Sequence, residues 1–409
     1  MAVVSSADLA RGVALDRAVS AITSARRAVV ADRYAPRSFS VEWTKLEELE
    51  PIVEEWRELA GRALEPNVFY EPAFALEAAR VFGRDVGAVL VWSGTLPRKL
   101  LGFFPARVER RRYGYKLPVL VGWTHPYAPL GTPLVEREAA EPVIAAWLAH
   151  LADHAPALLL LPYLSSEGPF AIALGAILRR AEMLTADFSR HSRAQLVPRG
   201  DRSTYVEWAL GARKRKDLRR LGRRLSEAGA TLFTTRREPD DVAAALDEFF
   251  ALEASGWKGR AGTAAAGRKD VRRFVAAALG GLAAEDKAAV SRLYFDDRPI
   301  AAAITLRSVD TAWFWKIAYD EAFARYSPGV MLTVALTEEL AEDPTLARAD
   351  SCATADHPMI DHIWREQLAL CDRLIALRPK APFMLARRAE SLRRAAVVGL
   401  KHIRGWFCA

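Results

Sequence analysis

The chain contains 409 residues, is 51% hydrophobic, and carries a formal net charge of +8 at pH 7. This length exceeds what one compact core supports, so we expect two domains with sizeable interiors. The three cysteines are widely spaced, which argues against a disulfide framework or a paired-cysteine metal site and predicts a reducing compartment. No secretory signal is visible, and no window reaches the roughly 18 to 20 apolar residues of a membrane span. We therefore expect a cytoplasmic protein without a metal, whose cationic excess suits an anionic partner.

The first part of the chain is rich in alanine, arginine and serine without a stable period, which predicts a weakly ordered arm over residues 1–40. Beyond it, apolar residues recur at helical spacing and then give way to two runs typical of strands. The predicted elements are a helix that starts at Leu46 and ends before Pro66, a helix over 72–82, and strands over 86–92 and 100–108.

Residues 123–134 read WTHPYAPLGTPL, a stretch stiffened by proline and glycine that also carries aromatic side chains and His125. A loop this apolar usually packs over other residues. Two interpretations stay open: the loop is a structural cover, or it is one wall of an acceptor-binding pocket that includes His125. The elements predicted after it are helices over 143–151 and 169–183 and strands over 157–161 and 195–197.

Residues 211–229, GARKRKDLRRLGRRLSEAG, predict a helix with leucines on one side and cations on the other. This cationic surface is either a solvated face or a contact for anionic lipid, CoA or RNA, because so many like charges repel one another. A strand over 231–235 and a helix over 242–252 are predicted next. The cations of the basic helix are Arg213, Lys214, Arg215, Lys216, Arg219, Arg220, Arg223 and Arg224.

The sequence LEASGWKGRAGTA, residues 252–264, places an aromatic residue and two cations beside a glycine-rich loop. Such loops allow a ligand to approach the backbone while the cations contact phosphate or carboxylate. A mobile linker is the alternative. The candidate substrate-binding residues here are Trp257, Lys258 and Arg260.

Three apolar runs separated by turn-forming residues predict an antiparallel meander, which organises the second half of the chain. In its third strand, Lys316 lies among aromatic residues, where it either binds a donor phosphate or an acceptor carboxylate or points outward. The strands are predicted over 290–295, 300–306 and 313–319.

The residues Ser327-Pro328-Gly329 begin an apolar helix after the meander. Ser327 is its predicted cap, Pro328 suits the first helical position, and Gly329 leaves the backbone uncovered. The unpaired amides of such a helix start attract anions.

A strand over 349–353 and a helix starting at His357-Pro358 are predicted farther along, and they bring Asp350, Asp356 and His357 together. Because imidazole changes protonation near neutral pH, His357 is the candidate base, oriented by Asp356 or Asp350. The alternative is that His357 merely caps the helix. The last stretch, 379–409, predicts a basic amphipathic helix that either lies in a membrane interface or docks on the second domain.

The meander, the sequence AYDEAFARYSPG and the helix behind it resemble the acyl-donor half of a GNAT-superfamily acyltransferase. More narrowly, the chain is similar to the CelD/BcsL type, which is related to the two-lobed FemABX transferases. The resemblance covers roughly residues 45–377. It implies an α+β fold with two tandem GNAT-like lobes, each a mixed, mostly antiparallel sheet flanked by helices, followed by a C-terminal amphipathic helix. The implied domains are 41–204 for the first lobe, 205–378 for the second lobe with the donor site, and 379–409 for the tail.

The resemblance implies an N-acyltransferase that moves an acyl group from acyl-CoA to an amine linked to envelope lipid or polysaccharide. It implies that the loop before the helix receives the CoA pyrophosphate and that the strand containing Ile304 faces the donor. Asp350, Lys316 and His125 are further candidate substrate-binding residues. Two alternatives stay open: a donor that is aminoacyl-tRNA held by the basic helix, or a non-catalytic scaffold at a membrane. The residues assigned in this way are Arg325, Ser327, Pro328, Gly329, Val330 and Ile304 for the donor, and His357, Asp356 and Tyr326 for catalysis, with Tyr326 returning a proton to the thiolate.

Overall fold

The computed structural model describes residues 39–198, 202–262, 264–378 and 382–406. Apart from its last two residues, the arm predicted over 1–40 lies outside this description. The described residues form two consecutive lobes that share one mixed sheet.

The predicted elements of the first lobe are found in the predicted order, but its last strand is much longer than predicted and the strands Ser40–Lys45, Val119–Gly122 and Leu134–Val135 are not predicted. Its elements are β1 (Ser40–Lys45), α1 (Val53–Arg62), α2 (Pro72–Phe82), β2 (Gly87–Trp92), β3 (Leu100–Glu109), β4 (Val119–Gly122), β5 (Leu134–Val135), α3 (Ala140–His154), β6 (Leu158–Ser165), α4 (Pro169–Arg180) and β7 (Thr185–Leu196).

The second lobe contains the predicted basic helix, meander and following helix, and also a helix, α9, that the sequence patterns do not predict. Its elements are α5 (Tyr205–Ala209), α6 (Ala212–Ser226), β8 (Thr231–Arg236), α7 (Pro239–Ser255), α8 (Trp257–Arg260), α9 (Lys269–Ala283), β9 (Ala288–Phe295), β10 (Arg298–Ser308), β11 (Thr311–Tyr319), α10 (Pro328–Glu342), β12 (Arg348–Asp350) and β13 (Glu366–Ala376), followed by α11 (Phe383–Trp406).

The two lobes repeat one arrangement. In the first, the antiparallel strands β2, β3 and β4 are followed by α3 and by β6, which pairs parallel to β4. In the second, the antiparallel strands β9, β10 and β11 are followed by α10 and by β12, which pairs parallel to β11. The predicted fold of two tandem GNAT-like lobes with mostly antiparallel strands is therefore confirmed.

The lobes exchange strands at the centre of the sheet. Among the described residues the strand order is β1-β2-β3-β4-β6-β13-β7-β12-β11-β10-β9-β8, with β5 paired to β3 off this path. The last strand of the second lobe, β13, thus lies between β6 and β7 of the first lobe, and β7 lies between β13 and β12. The boundary predicted between residues 204 and 205 stays a prediction, because the sheet is continuous across it.

The helix predicted after His357 is wrong. A single 3-10 turn, Ile360–His362, is followed by strand β13. Leu374 and Ile375 are adjacent and both fully buried, yet they belong to different apolar clusters, as expected for a strand covered on both faces. A short run that is apolar on both faces cannot be distinguished from a buried helix by its periodicity.

Helix α11 docks on the sheet where the two lobes meet. Phe383 and Ala386 pack against Val119 and Leu160 of the first lobe and against Leu374 of β13 in the second lobe. The described part of this helix therefore docks on the protein, as one of the two alternatives predicts, but on both lobes and not on the second lobe alone. Its outer face carries the exposed Met384, Leu385 and Leu392.

A buried ion pair joins the lobes where β7 meets β12. The Nε of Arg193 donates to Oδ1 of Asp350 at 2.7 Å, and its Nη2 donates to Oδ2. The side chains of Arg193 and Asp350 are only 1% and 2% exposed. Arg193 also donates through Nη1 to the carbonyl of Pro129 at 2.9 Å, which attaches the loop of residues 123–134 to this point.

We expect Asp350→Asn to lower the free energy of unfolding by about 3–5 kcal/mol, because the substitution leaves the Arg193 guanidinium buried without a counter-charge. Chemical denaturation monitored by tryptophan fluorescence measures this loss. Asp356→Asn, at an exposed position, is the matched control and should change the free energy by less than about 0.5 kcal/mol. Equal stabilities of the two variants would contradict the structural role of the pair.

Candidate active site

A cavity opens where two parallel strands of the second lobe separate. Strands β11 and β12 pair only from Thr311 to Trp313 with Arg348 to Asp350. Beyond this contact, a cavity of about 410 Å³ lies between the strands and receives residues from both lobes. It is lined by Pro126, Pro129, Tyr163, His191, Arg193, Trp315, Lys316 and residues 352–355.

A β-bulge shapes one wall of this cavity. Ile304 of β10 is opposite Lys316, whereas the next residue, Thr305, is opposite Phe314, so Trp315 is an extra residue on β11. A bulge leaves its extra residue outside the ladder and redirects neighbouring side chains. Both Trp315 and Lys316 consequently line the cavity.

The loop of residues 123–134 covers this wall. The indole of Trp315 donates to the carbonyl of Tyr127 at 2.9 Å, and Nζ of Lys316 lies 4.3 Å from the centre of the Tyr127 ring. Pro126 and Pro129 line the cavity, so the loop is both a cover and part of the wall. The cation–π contact holds the Lys316 ammonium at the cavity edge.

Arg193 forms the floor of the cavity and is held there by its ion pair with the buried Asp350. Oδ1 of Asp350 also accepts the backbone N–H of Cys352 at 3.0 Å. Burial, and next to it the Asp350 carboxylate, raises the pKa of the Cys352 thiol well above its ordinary value. The thiol is therefore neutral at physiological pH, which makes it a poor nucleophile.

Two titratable side chains of the first lobe face the same cavity. Tyr163 has a left-handed backbone (φ 47°), and its amide donates to Asp372 at 2.7 Å. Its ring stands edge-on to His191 at 6.1 Å. Nδ1 of His191 lies 2.8 Å from the carbonyl of Ser189; since a carbonyl only accepts, Nδ1 carries the proton and Nε2 of the neutral ring has the lone pair.

The predicted helix start differs from expectation in its capping. Ser327 is left-handed (φ 55°, ψ 52°) and its side chain makes no capping hydrogen bond. Its carbonyl instead accepts the amides of Val330 at 3.0 Å and Met331 at 3.1 Å. The predictions that the Ser327 side chain caps the helix and that the Val330 amide is unpaired are thus wrong. Pro328 occupies the first turn as predicted.

Gly329 is needed for packing at this helix start. A Cβ on Gly329 would lie 3.2 Å from the Tyr319 ring, so glycine lets α10 pack closely on β11. Tyr326 packs on the apolar cluster of the second lobe, and the guanidinium of Arg325 lies 4.7 Å from its ring centre. Ile304 is fully buried in the core, which removes its side chain from donor contact.

The three predicted acid–base residues near residue 350 do not meet at the cavity. Nδ1 of His357 accepts the amides of Met359 at 3.3 Å and Ile360 at 3.4 Å, so His357 caps the 3-10 turn. Asp356 is exposed, and Asp350 is paired with Arg193 and cannot orient His357.

The other predicted substrate contacts are scattered. Arg260 pairs with Glu321 at 2.7 Å, and the side chains of Trp257 and Lys258 lie outside the described residues. His125 stacks on Phe82 at 4.6 Å, and its Nε2 is sequestered without a hydrogen-bond partner among the described residues. Lys316 is the predicted residue that does line the cavity.

Tyr163, His191, Arg193 and Cys352 are cavity residues that the sequence patterns do not identify. Tyr163 belongs to β6, His191 and Arg193 to β7, and Cys352 follows β12. No motif connects them, because only the exchange of strands between lobes brings them together.

The second lobe has the arrangement of a GNAT-type fold. Its two parallel strands separate after a short contact, the first of them carries a bulge, and the helix between them in the chain depends on a glycine for its packing. Residues 212–357 match the family model described as an acetyltransferase (GNAT) domain. The second lobe therefore contains a GNAT-type acetyltransferase domain.

Solved structures extend this likeness to both lobes. FemX has a TM-score of 0.54 at 8% identity, covering 81% of this chain and 98% of FemX. The C-terminal domain of a putative lysylphosphatidylglycerol synthetase from Agrobacterium fabrum has a TM-score of 0.52 at 13% identity, covering 85% of this chain and 96% of that domain. A conserved protein of unknown function from Bacteroides thetaiotaomicron has a TM-score of 0.52 at 9% identity, covering 83% and 100% of the two chains. At these identities the likeness concerns the fold. A comparison with curated protein sequences found no match.

The burial of His125 makes the protein less stable as the pH becomes acidic. Burial lowers the pKa of this imidazole from 6.5 to about 3, so the unfolded chain takes up the proton first. The stability contributed by the neutral ring is complete above pH 6.5 and is lost toward pH 3, at up to about 1.4 kcal/mol per pH unit. Between pH 6.5 and 4.5 we expect the free energy of unfolding to fall by roughly 2 kcal/mol more in the wild type than in His125→Phe. Urea titrations measure this difference. If the free energy of unfolding fell equally in the two proteins between pH 6.5 and 4.5, the burial of His125 would be contradicted.

Proposed function

We propose that the protein is an N-acyltransferase that moves an acyl group from an acyl-CoA thioester to an amine. The single observation that supports this most strongly is the cavity between β11 and β12, two strands that belong to the region matching the GNAT domain. Diverging parallel strands leave backbone groups outside the ladder, and these can hydrogen-bond a pantetheine chain and polarise a thioester carbonyl.

The donor phosphates need cations, which α6 supplies. Gly222 of α6 lies beside Met331 in the first turn of α10, with its Cβ position 3.6 Å from the methionine methyl group. Arg219, Arg223 and Arg224 of α6 are exposed. Because Pro328 has no N–H and the amides of Val330 and Met331 are already occupied, we assign the donor phosphates to these cations together with the amide of Gly329.

Deprotonation of the amine is assigned to His191. The ring lines the cavity with Nε2 as its proton acceptor, and histidine is the side chain that most often serves as a general base. The Tyr163 hydroxyl, beside the same ring, is the group that returns a proton to the leaving thiolate. Transfer is direct, and the neutral Cys352 thiol is not used as a nucleophile.

The acceptor that we propose is an amine linked to envelope lipid or polysaccharide, as the CelD/BcsL resemblance implies. Among the described residues, no helix combines the length and the apolar character needed to span a bilayer. The exposed apolar side chains on the outer face of α11, next to the exposed Arg387, support contact with an anionic lipid surface instead.

Purified protein incubated with radiolabelled acyl-CoA esters and an amine panel tests this function. We expect His191→Asn and Tyr163→Phe to lower kcat by about 100-fold or more, because each removes a proton-transfer group. His357→Ala, which alters a cap outside the cavity, should leave kcat within about threefold. If His357→Ala abolished turnover and His191→Asn did not, the assignment of the base would be overturned, and failure of every CoA ester to bind the folded protein would end the proposal.

A second candidate function is transfer from aminoacyl-tRNA, favoured by the exposed cations of α6. Phosphate neutralisation by arginine makes RNA affinity fall steeply with salt. If tRNA is the donor, the triple variant Arg219→Gln, Arg223→Gln, Arg224→Gln should reduce the slope of log affinity against log salt by about 3. Under our primary proposal, tRNA neither co-purifies nor supports turnover, and the same variant raises KM for acyl-CoA.

A further inference from the structure

A second cavity repeats the geometry of the first one in the other lobe. Strands β4 and β6 are parallel and pair only through Leu120 and Val121 with Leu159 and Leu160. Where they separate, a cavity of about 330 Å³ opens beside strands β3 and β7. This volume lies in the range of sites that hold small molecules.

The lining of this second cavity is rich in arginine. Arg107 and Arg112 come from the β3 side, and Arg393 and Arg394 come from α11. Three carboxylates pair with them, namely those of Glu109, Asp372 and Glu390. Four cations against three anions leave one positive charge in excess at the cavity.

Glu390 fixes the direction of three of these guanidinium groups. Its fully buried carboxylate accepts hydrogen bonds from Arg112 at 2.9 Å and from Arg393 at 2.7 Å, and it forms an ion pair with Arg394 at 2.7 Å. Burial opposes ionisation of Glu390, but the hydrogen bonds from Arg112 and Arg393 and the charge of Arg394 outweigh it and lower its pKa to about 2. The carboxylate is therefore ionised throughout the physiological range and holds the arginines in place.

Part of the guanidinium surface remains available to a ligand. Arg107 and Arg393 use Nε and Nη2 in their ion pairs, and their side chains are 43% and 36% exposed. Nε of Arg394 is buried without a hydrogen-bond partner among the described residues. Arginine in this arrangement suits the oxygens of phosphate or carboxylate.

The two cavities meet at Tyr163 and His191, which line both of them. We propose that the second cavity binds an oxyanion, phosphate or carboxylate, carried by the same molecule as the accepting amine. The amine then reaches His191 while the oxyanion lies among Arg107, Arg393 and Arg394. This inference rests on the proposed acyltransferase function and specifies its substrate class as an anionic amine, with the C-terminal helix forming part of the binding site.

Calorimetric titration of the full chain with three amines tests this site. Ethanolamine has the amine alone, β-alanine adds a carboxylate, and O-phosphoethanolamine adds a phosphate. We expect at least one of the two anionic amines to bind at least tenfold more tightly than ethanolamine. Arg393→Gln and Arg107→Gln should each remove most of that difference while leaving the affinity for acyl-CoA unchanged.

The matched control is Arg388→Gln on the same helix, where the arginine is exposed and makes no ion pair within the described part of the chain. It should keep the wild-type preference, and a melting curve of each variant reports any loss of α11 docking. Arg107→Gln keeps the test decisive if Arg393→Gln loosens the helix, because Arg107 has no contact with Glu390. Equal binding of all three amines, binding of none, or equal effects of Arg393→Gln, Arg107→Gln and Arg388→Gln would overturn the proposal.

Two further arms separate the remaining questions. Co-sedimentation with vesicles containing phosphatidylethanolamine, compared with pure phosphatidylcholine vesicles, shows whether the anionic amine is a lipid headgroup; soluble binding without vesicle binding assigns it to a free molecule. Acyl-CoA binding without any anionic-amine preference would refute the second site and leave the acyltransferase proposal intact. Failure of the wild-type protein to bind acyl-CoA would refute the acyltransferase proposal itself.

Discussion

The Arg193–Asp350 ion pair is the constraint on which the rest of the structure depends. It joins the central strand of one lobe to the short parallel strand of the other, and the remaining Arg193 donor secures the covering loop. An ion pair removed from water is stable only when its geometry and remaining hydrogen bonds are satisfied. Here the carboxylate also receives the Cys352 amide, so the pair fixes the direction in which the chain leaves β12 and with it the floor of the cavity.

The lobes are also connected through their cores. The largest apolar cluster contains residues of α2 from the first lobe and of α7 and α9 from the second, with Phe74 and Phe274 in edge contact at 5.4 Å. Nearby, the buried Glu71 accepts from Lys287 at 2.9 Å and from Ser308 at 2.6 Å. Contacts of this extent hold the two lobes in one arrangement, which a cavity built from both of them requires.

The sequence predicts those parts of the fold whose local pattern is strong. The meander has turn residues between β-rich runs, and α10 begins at the proline that its pattern indicates, so both are found as predicted. Strand β13 is missed because both of its faces are apolar, and no element is predicted over the stretch that forms α9. Ser327 is left-handed where it ends the preceding 3-10 turn, with its amide donating to the Ala324 carbonyl at 3.0 Å, and its side chain does not act as a cap. For the site, Lys316 is predicted from its aromatic strand, but Tyr163 and His191 meet it only through strand exchange, which no local pattern encodes.

The position of β13 has a consequence for how the protein is made. During synthesis, β6 and β7 leave the ribosome long before their common neighbour, which spans Glu366–Ala376 near the end of the chain. Until that segment emerges, both strands keep an unpaired edge, and such edges favour association with other chains. The centre of the sheet is thus among the last parts to close, and a nascent chain that terminates early lacks the element that completes its first lobe. Translation speed and chaperone access between the emergence of β7 and that of β13 therefore bear directly on the yield of native protein.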